Sequence, residues 1–430
     1  MAEFDPFAAL NDFGRRFQQS FQGAGGDNSR QSQRTDPLQE IKGFGSNPGN
    51  TRMFAHVPER TTHNPALVVA LHGCTQSADT YARGSGWSSL ADKLGFVVLY
   101  PEQQRSNNPQ GCFSWFVPGD TERDDGEVLS IRQMVDYAIR EFGIDKSRVF
   151  VTGLSAGGAM ASAMLATYPD VFAGGAIIAG LPYGCASTTE EAFAAMFGKR
   201  ANPQQDLGDN VRVASPHLGP WPKISVWHGS SDPIVKPSNA EDVVRQWAEV
   251  HGLPMAPSYE EKVGGHSRRV WDDAVGEPVI ESFTISGMAH GVPITTGSDG
   301  CGNAGAFFFD VGISSTRHIA TFWGLDEIGE KSWSPVSDAS REAPTEGQPI
   351  IPAAVSGLGG YARETADTTL PLNDGEHTAV RHPGAVIAAA LRAAGLPIAK
   401  SGDQAARPRH PSAPSTLIAA ALKAAGLLKS

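Results

Sequence analysis

The stretch Gly153-Leu154-Ser155-Ala156-Gly157 constrains this chain more than any other. Just before it lies Ser147–Thr152, a short β-prone apolar run, and just after it Gly158–Leu165, a helix-prone run. A G-x-S-x-G at a strand-to-helix turn reads as a nucleophile elbow. The serine has to sit in a tight, strained turn, and only residues without a Cβ let strand and helix backbones approach that closely. The turn lifts the hydroxyl above the sheet edge, over a helix N-terminus that favours developing negative charge. The competing reading is a Gly/Ser-rich turn that only packs.

Two further segments follow in the order such a site requires, serine then acid then histidine. Lys223-Ile224-Ser225-Val226-Trp227-His228-Gly229 reads as an apolar strand that ends in a polar turn carrying Asp232. Val279–Ile285 reads as an alternating strand, followed by a Gly-containing loop with His290. Both side chains fall at strand carboxyl ends, where open α/β sheets build their sites. His290 can take the serine proton and return it to a leaving group. Asp232 can fix the imidazole tautomer and stabilise the imidazolium. His72, His228, His251, His266 and His318 compete as bases, and Asp272 and Asp273 compete as the acid. His72 and His228 end strands and read as holding loops, His251 and His318 fall in helical patterns, and His266 lies in a Gly-rich basic loop.

Leu67–Leu71 reads as a fully buried strand running into His72-Gly73-Cys74-Thr75-Gln76. A backbone N–H there, that of Cys74, is placed to converge with the N–H of Ala156 as an oxyanion hole. Cys74 also reads as a buried apolar thiol, which is compatible because the donor is main chain.

The remaining pattern alternates strand and helix, as in an α/β sandwich with a mostly parallel sheet and helices on both faces. Phe96–Tyr100 and Gly174–Ala179 read as strands, Val128–Phe142 as an amphipathic helix, and Ser314–Trp323 as the last helix of the domain. Ser238-Asn239-Ala240-Glu241 reads as a capping box that opens a helix ending near Gly252. Residues 183–222, rich in Pro, Gly and Ala, form either a cap over the site or a loop-rich excursion. A 430-residue chain with 40% hydrophobic residues can bury one sizeable enzyme core. There is no nucleotide-binding loop and no zinc-like Cys/His spacing, and a serine esterase needs no cofactor.

The motifs LHGCTQSADTYARGSGWSSLADKLGFVVLYPEQ, GCFSWF, FVTGLSAGGAMASAML, GLPYGCA, WHGSSDPIV and GMAHG together resemble one family. It is the α/β-hydrolase esterase family named after extracellular poly(3-hydroxybutyrate) depolymerases, which borders feruloyl and acetylxylan esterases. The resemblance runs from about residue 40 to about residue 325. It implies Ser155 as nucleophile, Asp232 as acid, His290 as base and the Cys74 amide in the oxyanion hole. It also implies that Trp115, and with it Trp87, line the substrate cleft; the alternative for both is packing. Of the four cysteines, it implies a Cys74–Cys112 bridge between the oxyanion turn and the GCFSWF loop, with Cys185–Cys301 as the second pair. The alternative is four free thiols. The implied substrate is poly(3-hydroxybutyrate) or its oligomers, or alternatively a feruloyl or acetylxylan ester.

The ends carry a second pattern. Phe4, Phe7, Leu10, Phe13, Phe17 and Phe21 recur every three or four residues and form one aromatic stripe if 4–21 is helical. Gln22–Asp36 reads as linker. Near the C-terminus, Pro383–Leu396 recurs as Pro414–Leu427, each copy a short helix candidate with a Gly stop. These divide the chain into an amphipathic N-terminal segment and linker (1–36), a catalytic domain (37–330), a linker (331–376) and a basic Ala-rich tail (377–430). The tail carries seven Lys or Arg against one acid, in a chain of net charge −11. Such ends suit a polyester granule or membrane surface, or else docking on the enzyme itself or self-association. No nucleic-acid partner is expected. The first residues show neither a basic leader nor a long apolar run, so a cytoplasmic, granule-associated location is expected. No β-rich binding domain follows the core, so stored polymer or its oligomers are expected over insoluble extracellular polymer.

Overall fold

A computed structural model describes residues 38–199, 204–296, 301–326 and 333–335. The chain divides into two units, Met1–Gly347 and Gln348–Ser430, and every described residue belongs to the first. The N-terminal aromatic stripe, the linker Gln22–Asp36 and the two C-terminal repeats lie outside the described residues.

Fourteen strands are described. They are β1 (Gln39–Ile41), β2 (Arg52–His56), β3 (Arg60–Thr62), β4 (Leu67–Leu71), β5 (Val97–Glu102), β6 (Val149–Leu154) and β7 (Gly174–Ile178). Then come β8 (Lys223–Gly229), β9 (Tyr259–Val263), β10 (His266–Asp272), β11 (Pro278–Ile285), β12 (Val292–Ile294), β13 (Phe308–Asp310) and β14 (Trp333–Pro335). The helices are α1 (Ala78–Ser85), α2 (Trp87–Leu94), α3 (Pro118–Thr121), α4 (Gly126–Glu141) and α5 (Ala156–Thr167). They continue with α6 (Thr189–Met196), α7 (Gln204–Val213), α8 (Ser238–His251) and α9 (Ser315–Phe322).

Ten strands form one sheet in the order β1-β2-β5-β4-β6-β7-β8-β11-β10-β9. From β5 to β11 neighbours run parallel, and antiparallel strands extend both edges. After β4 the chain adds β5 on one side, then crosses to add β6 on the other. That reversal leaves a crevice at the carboxyl ends of β4 and β6, where an open α/β sheet binds ligands.

The period of two along the strands separates two cores. Leu67, Val69 and Leu71 of β4 point into one, with α4, α5 and α8; Val68 and Ala70 point into the other, with α1, α2 and α9. Val97 and Leu99 of β5 likewise oppose Val98 and Tyr100. Every residue of α5 is buried, and its Gly/Ala-rich sequence lets it sit flush on the sheet. In the second core Trp323 lies between Trp87 and Phe150, stacked at 5.7 and 4.7 Å.

Three expectations change. Ser238 does not cap α8: Pro237 takes that position with helical backbone and no side-chain bond, while Glu241 pairs with Arg269 of β10 at 2.6 Å. The described part of 183–222 carries α6 and α7 and packs on α8 through Gln246, which donates to the Tyr183 and Leu207 carbonyls. It is therefore part of the sandwich. The stretch expected as linker from residue 331 contains β14, which pairs with β3.

Trp323→Ala removes the middle ring of the stack. It should cost about 3–5 kcal/mol of folding stability, read as a lowered urea midpoint.

Candidate active site

Ser155 closes β6 and opens α5 at φ 58° and ψ −118°, a left-handed backbone region that a non-glycine residue occupies only under constraint. Its N–H is held by the Ile178 carbonyl, and its own carbonyl accepts from Ala159. A Cβ on Gly157 would run into the carbonyls of Leu71 and His72, and one on Gly153 into the Gly157 backbone. The two glycines of the motif thus let α5 press against the carboxyl end of β4.

Asp232 sits in the turn after β8, with both carboxylate oxygens engaged. Oδ1 accepts from the amides of Ile234 and Val235 at 2.8 and 3.0 Å. Oδ2 lies 2.7 Å from His290 Nδ1 and 3.3 Å from His228 Nε2. Burial pushes the Asp232 carboxyl up, but attraction to His290 and hydrogen bonds from His228 and His290 hold it well below the usual carboxylate range. An acid that stays ionised keeps the His290 proton on Nδ1 and leaves Nε2 as the base. A Cβ on Gly229 would strike the Met288 and Ala289 carbonyls, so that glycine lets the histidine loop close over the acid turn.

The turn after β4 is braced from three sides. Burial lowers the His72 pKa. Its Nε2 accepts from the Gln103 amide at 3.1 Å, so Nδ1 carries the proton and donates to the Gly73 carbonyl at 2.8 Å. Gln76 Oε1 accepts from the Gly73 amide at 2.8 Å. Cys74 is bonded to Cys112, which ties the turn to the loop carrying Ser114 and Trp115. Among the described residues, no hydrogen bond takes the Cys74 or the Ala156 amide. Both remain available as donors to an oxyanion.

Glu127 anchors that loop and was not legible in the sequence. It is buried at the start of α4, where Oε2 accepts from the Ser114 amide at 2.9 Å and Oε1 from the Gln103 side chain. Burial, and then the Asp120 charge, push its carboxyl up to about 7.

Ser155 and His290 border one small pocket with Gly73, Cys74, Gln76, Leu154 and Phe307. The Phe307 ring meets His290 edge-on at 6.1 Å. Trp87 does not line a cleft: it is fully buried against Trp323 and Phe96. Trp115 is half-buried against both cores and Phe116, outside the pocket lining. Cys185 and Cys301 stay as buried thiols rather than a second bridge. The competing residues have other work. His266 accepts from the Ser286 amide and His251 contacts the Pro222 carbonyl. His318 lies beside Trp227 and Phe283, and Asp273 holds its own turn through the amides of Val275 and Glu277. Among the described residues no cluster of three or more His, Cys, Asp or Glu could hold a metal.

The family model described as esterase PHB depolymerase matches residues 55–268. Poly(3-hydroxyalkanoate) depolymerase C of Paucimonas lemoignei is 48% identical over 67% of this chain and 70% of its own length. The chain belongs to the PHB depolymerase esterase family. An acetylxylan esterase of Coprinopsis cinerea is 34% identical over 60% of this chain and 69% of its own length. Among solved structures, an acetyl xylan esterase from Aspergillus awamori superposes with TM-score 0.59 at 27% identity, over 67% of this chain and all of that one. The fold is the α/β-hydrolase fold and the chain is an esterase.

Glu127 gives a test by pH. Its carboxyl rises from 4.5 to about 7 on folding, so the folded state keeps a proton that the unfolded chain has released. That contribution is fully present below pH 4.5 and is lost as pH rises through about 7. Glu127→Gln should lower stability by about 1–3 kcal/mol, because one amide meets a donor instead of an acceptor. It should also flatten the fall in urea midpoint between pH 5 and about 8 that the wild type shows.

Proposed function

We propose that the chain cleaves ester bonds of poly(3-hydroxyalkanoate), such as poly(3-hydroxybutyrate), or of its oligomers, through an acyl-enzyme on Ser155. The carrying observation is the line from Asp232 through His290 into the pocket that Ser155 borders. The 48% identity to a poly(3-hydroxyalkanoate) depolymerase supports the choice of substrate.

Ser155 Oγ attacks the ester carbonyl carbon while His290 Nε2 takes the hydroxyl proton. Asp232 stabilises the imidazolium, and the Cys74 and Ala156 amides receive the oxyanion. The bond to the alcohol oxygen breaks, and that oxygen leaves with the proton from Nε2. Water then attacks the acyl-enzyme, giving its proton to Nε2. The acid departs and Ser155 recovers its proton. The helix N-terminus under Ser155 adds to the stabilisation of negative charge. These bonds rearrange without a cofactor.

An acetyl- or feruloyl-ester reading is the alternative, and the match to the full length of the Aspergillus acetyl xylan esterase supports its acetyl form. The reading extends to the ends of the chain. Their aromatic stripe and basic repeats would bring the enzyme to the surface of a polymer granule. A closed Cys74–Cys112 bridge sets a condition on where this happens, since disulfides persist in oxidising surroundings.

Purified enzyme should release hydroxybutyrate from its oligomers and from amorphous granules, and Ser155→Ala should lower the rate about a millionfold. Turnover of methyl ferulate or acetylated xylan alone would overturn the polyester reading while leaving the esterase intact. Each terminal segment, fused to a fluorescent carrier, should co-sediment with amorphous granules. A carrier left in the supernatant would remove the surface role.

A further inference from the structure

The amides of the oxyanion turn can be accounted for one by one. The Gly73 amide donates to Gln76 Oε1 at 2.8 Å, and the Thr75 amide to the Gln110 carbonyl at 2.7 Å. The Gln76 amide donates to the Gly73 carbonyl at 3.2 Å. Among the described residues, only the Cys74 amide is left over, and Cys74 borders the same small pocket as Ser155 and His290.

The Gly73 carbonyl and the Cys74 N–H are the two ends of one peptide unit. That unit is planar and trans, so fixing where the carbonyl points fixes the N–H in the opposite direction. His72 Nδ1 donates to that carbonyl at 2.8 Å. A donor on the oxygen also draws electron density through the amide, and linked hydrogen bonds of this kind strengthen one another. The His72 ring thus acts on the oxyanion site from the far side of a peptide bond.

The ring is held for that role. It is buried and packs on Phe113, the residue after bridged Cys112, at 5.0 Å. Burial disfavours its cationic form. Nε2 accepts from the Gln103 amide at 3.1 Å, which leaves the proton on Nδ1. A backbone N–H cannot turn into an acceptor, so the tautomer is fixed. Gln103 is secured in turn, since its side chain donates to Glu127 and accepts from Asn107 at 2.7 Å.

We propose that His72 is a positioning residue for the esterase reaction: its Nδ1–H orients and polarises the Gly73–Cys74 peptide, so that the Cys74 N–H meets the developing oxyanion. The inference rests on the reading of Ser155 as nucleophile and the Cys74 amide as oxyanion donor, and adds the group that aims that donor. Its effect belongs to the transition state, because the carbonyl oxygen carries little charge in the bound ester and much in the tetrahedral intermediate.

Two substitutions divide the ring between its nitrogens. Asn places an amide near the position of Nδ1, and Gln places one near Nε2. His72→Asn keeps a donor for the Gly73 carbonyl and gives up the link to Gln103. His72→Gln keeps an acceptor for the Gln103 amide and gives up the donor to Gly73. Each loses one buried hydrogen bond, so a merely structural role would cost both variants alike. On p-nitrophenyl butyrate, kcat of His72→Gln should lie at least about tenfold below that of His72→Asn with KM nearly the same in both, where deleting a whole oxyanion donor would cost about 10²–10³. The inhibition constant of butylboronic acid, whose adduct with Ser155 is tetrahedral and anionic, should rise in step with the loss in kcat. Equal kcat in the two variants, or a deeper loss in His72→Asn, would overturn the proposal, as would a boronate affinity that does not follow kcat. If either variant fails to fold, NMR of the wild type with isotope-labelled histidine decides. A His72 proton on Nδ1, coupled across the hydrogen bond to the Gly73 carbonyl, supports the proposal, and a proton on Nε2 overturns it. Failure of the underlying reading shows separately: Ser155→Ala would then hydrolyse the same ester at the wild-type rate.

Discussion

The site depends on one contact that contains no side chains. The first turn of α5 lies against the carbonyls of Leu71 and His72, and a Cβ at Gly157 would occupy the same space as those atoms. This approach brings the Ala156 amide near the turn that carries the Cys74 amide, from two strands that are neighbours in space but far apart in sequence. It also forces Ser155 into a backbone conformation that costs of order 1–3 kcal/mol. The fully buried α5 and the central strands on either side of β6 hold that strain in place.

Around that contact the molecule adds bracing in layers. His72 links the oxyanion turn to the end of β5, and the Cys74–Cys112 bond links it to the loop before α3. Glu127 then joins that loop to Gln103. On the other side, Asp232 takes four donors or partners, so the acid is oriented before any substrate arrives. His228 acts twice: it contacts the Val235 carbonyl at 2.9 Å and supports the same carboxylate oxygen as His290. A preorganised site of this kind has little left to rearrange when charge develops.

The sequence made some of this legible for reasons of period and spacing. Leu67–Leu71 and Lys223–Gly229 were readable as strands because a buried parallel strand is an unbroken apolar run. The order of Ser155, Asp232 and His290 was readable because each follows a segment with strand patterning, apolar for the first two and alternating for the third. Glu127 was not readable, since a glutamate in the first turn of a helix ordinarily faces water and favours the dipole. Trp87 misled because an aromatic residue in a family motif serves packing as readily as binding; here it stacks under Trp323, more than two hundred residues away. The capping pattern at Ser238 was locally sound, but Arg269 of a distant strand claimed Glu241.

Local chemistry along the chain determined that there would be an elbow, an oxyanion turn, an acid turn and a histidine loop, because each needs only short-range patterning of glycine, apolar and polar residues. It also determined the alternating elements that place them at strand ends. Tertiary structure alone decided which side chains meet. The pairing of Asp232 with His290 and the meeting of α1 with residues 303–308 join segments far apart in sequence, and the burial that raises Glu127 comes from the packing around it. Such contacts depend on sheet order and on the space left between packed elements, and neither is written in any one stretch of sequence.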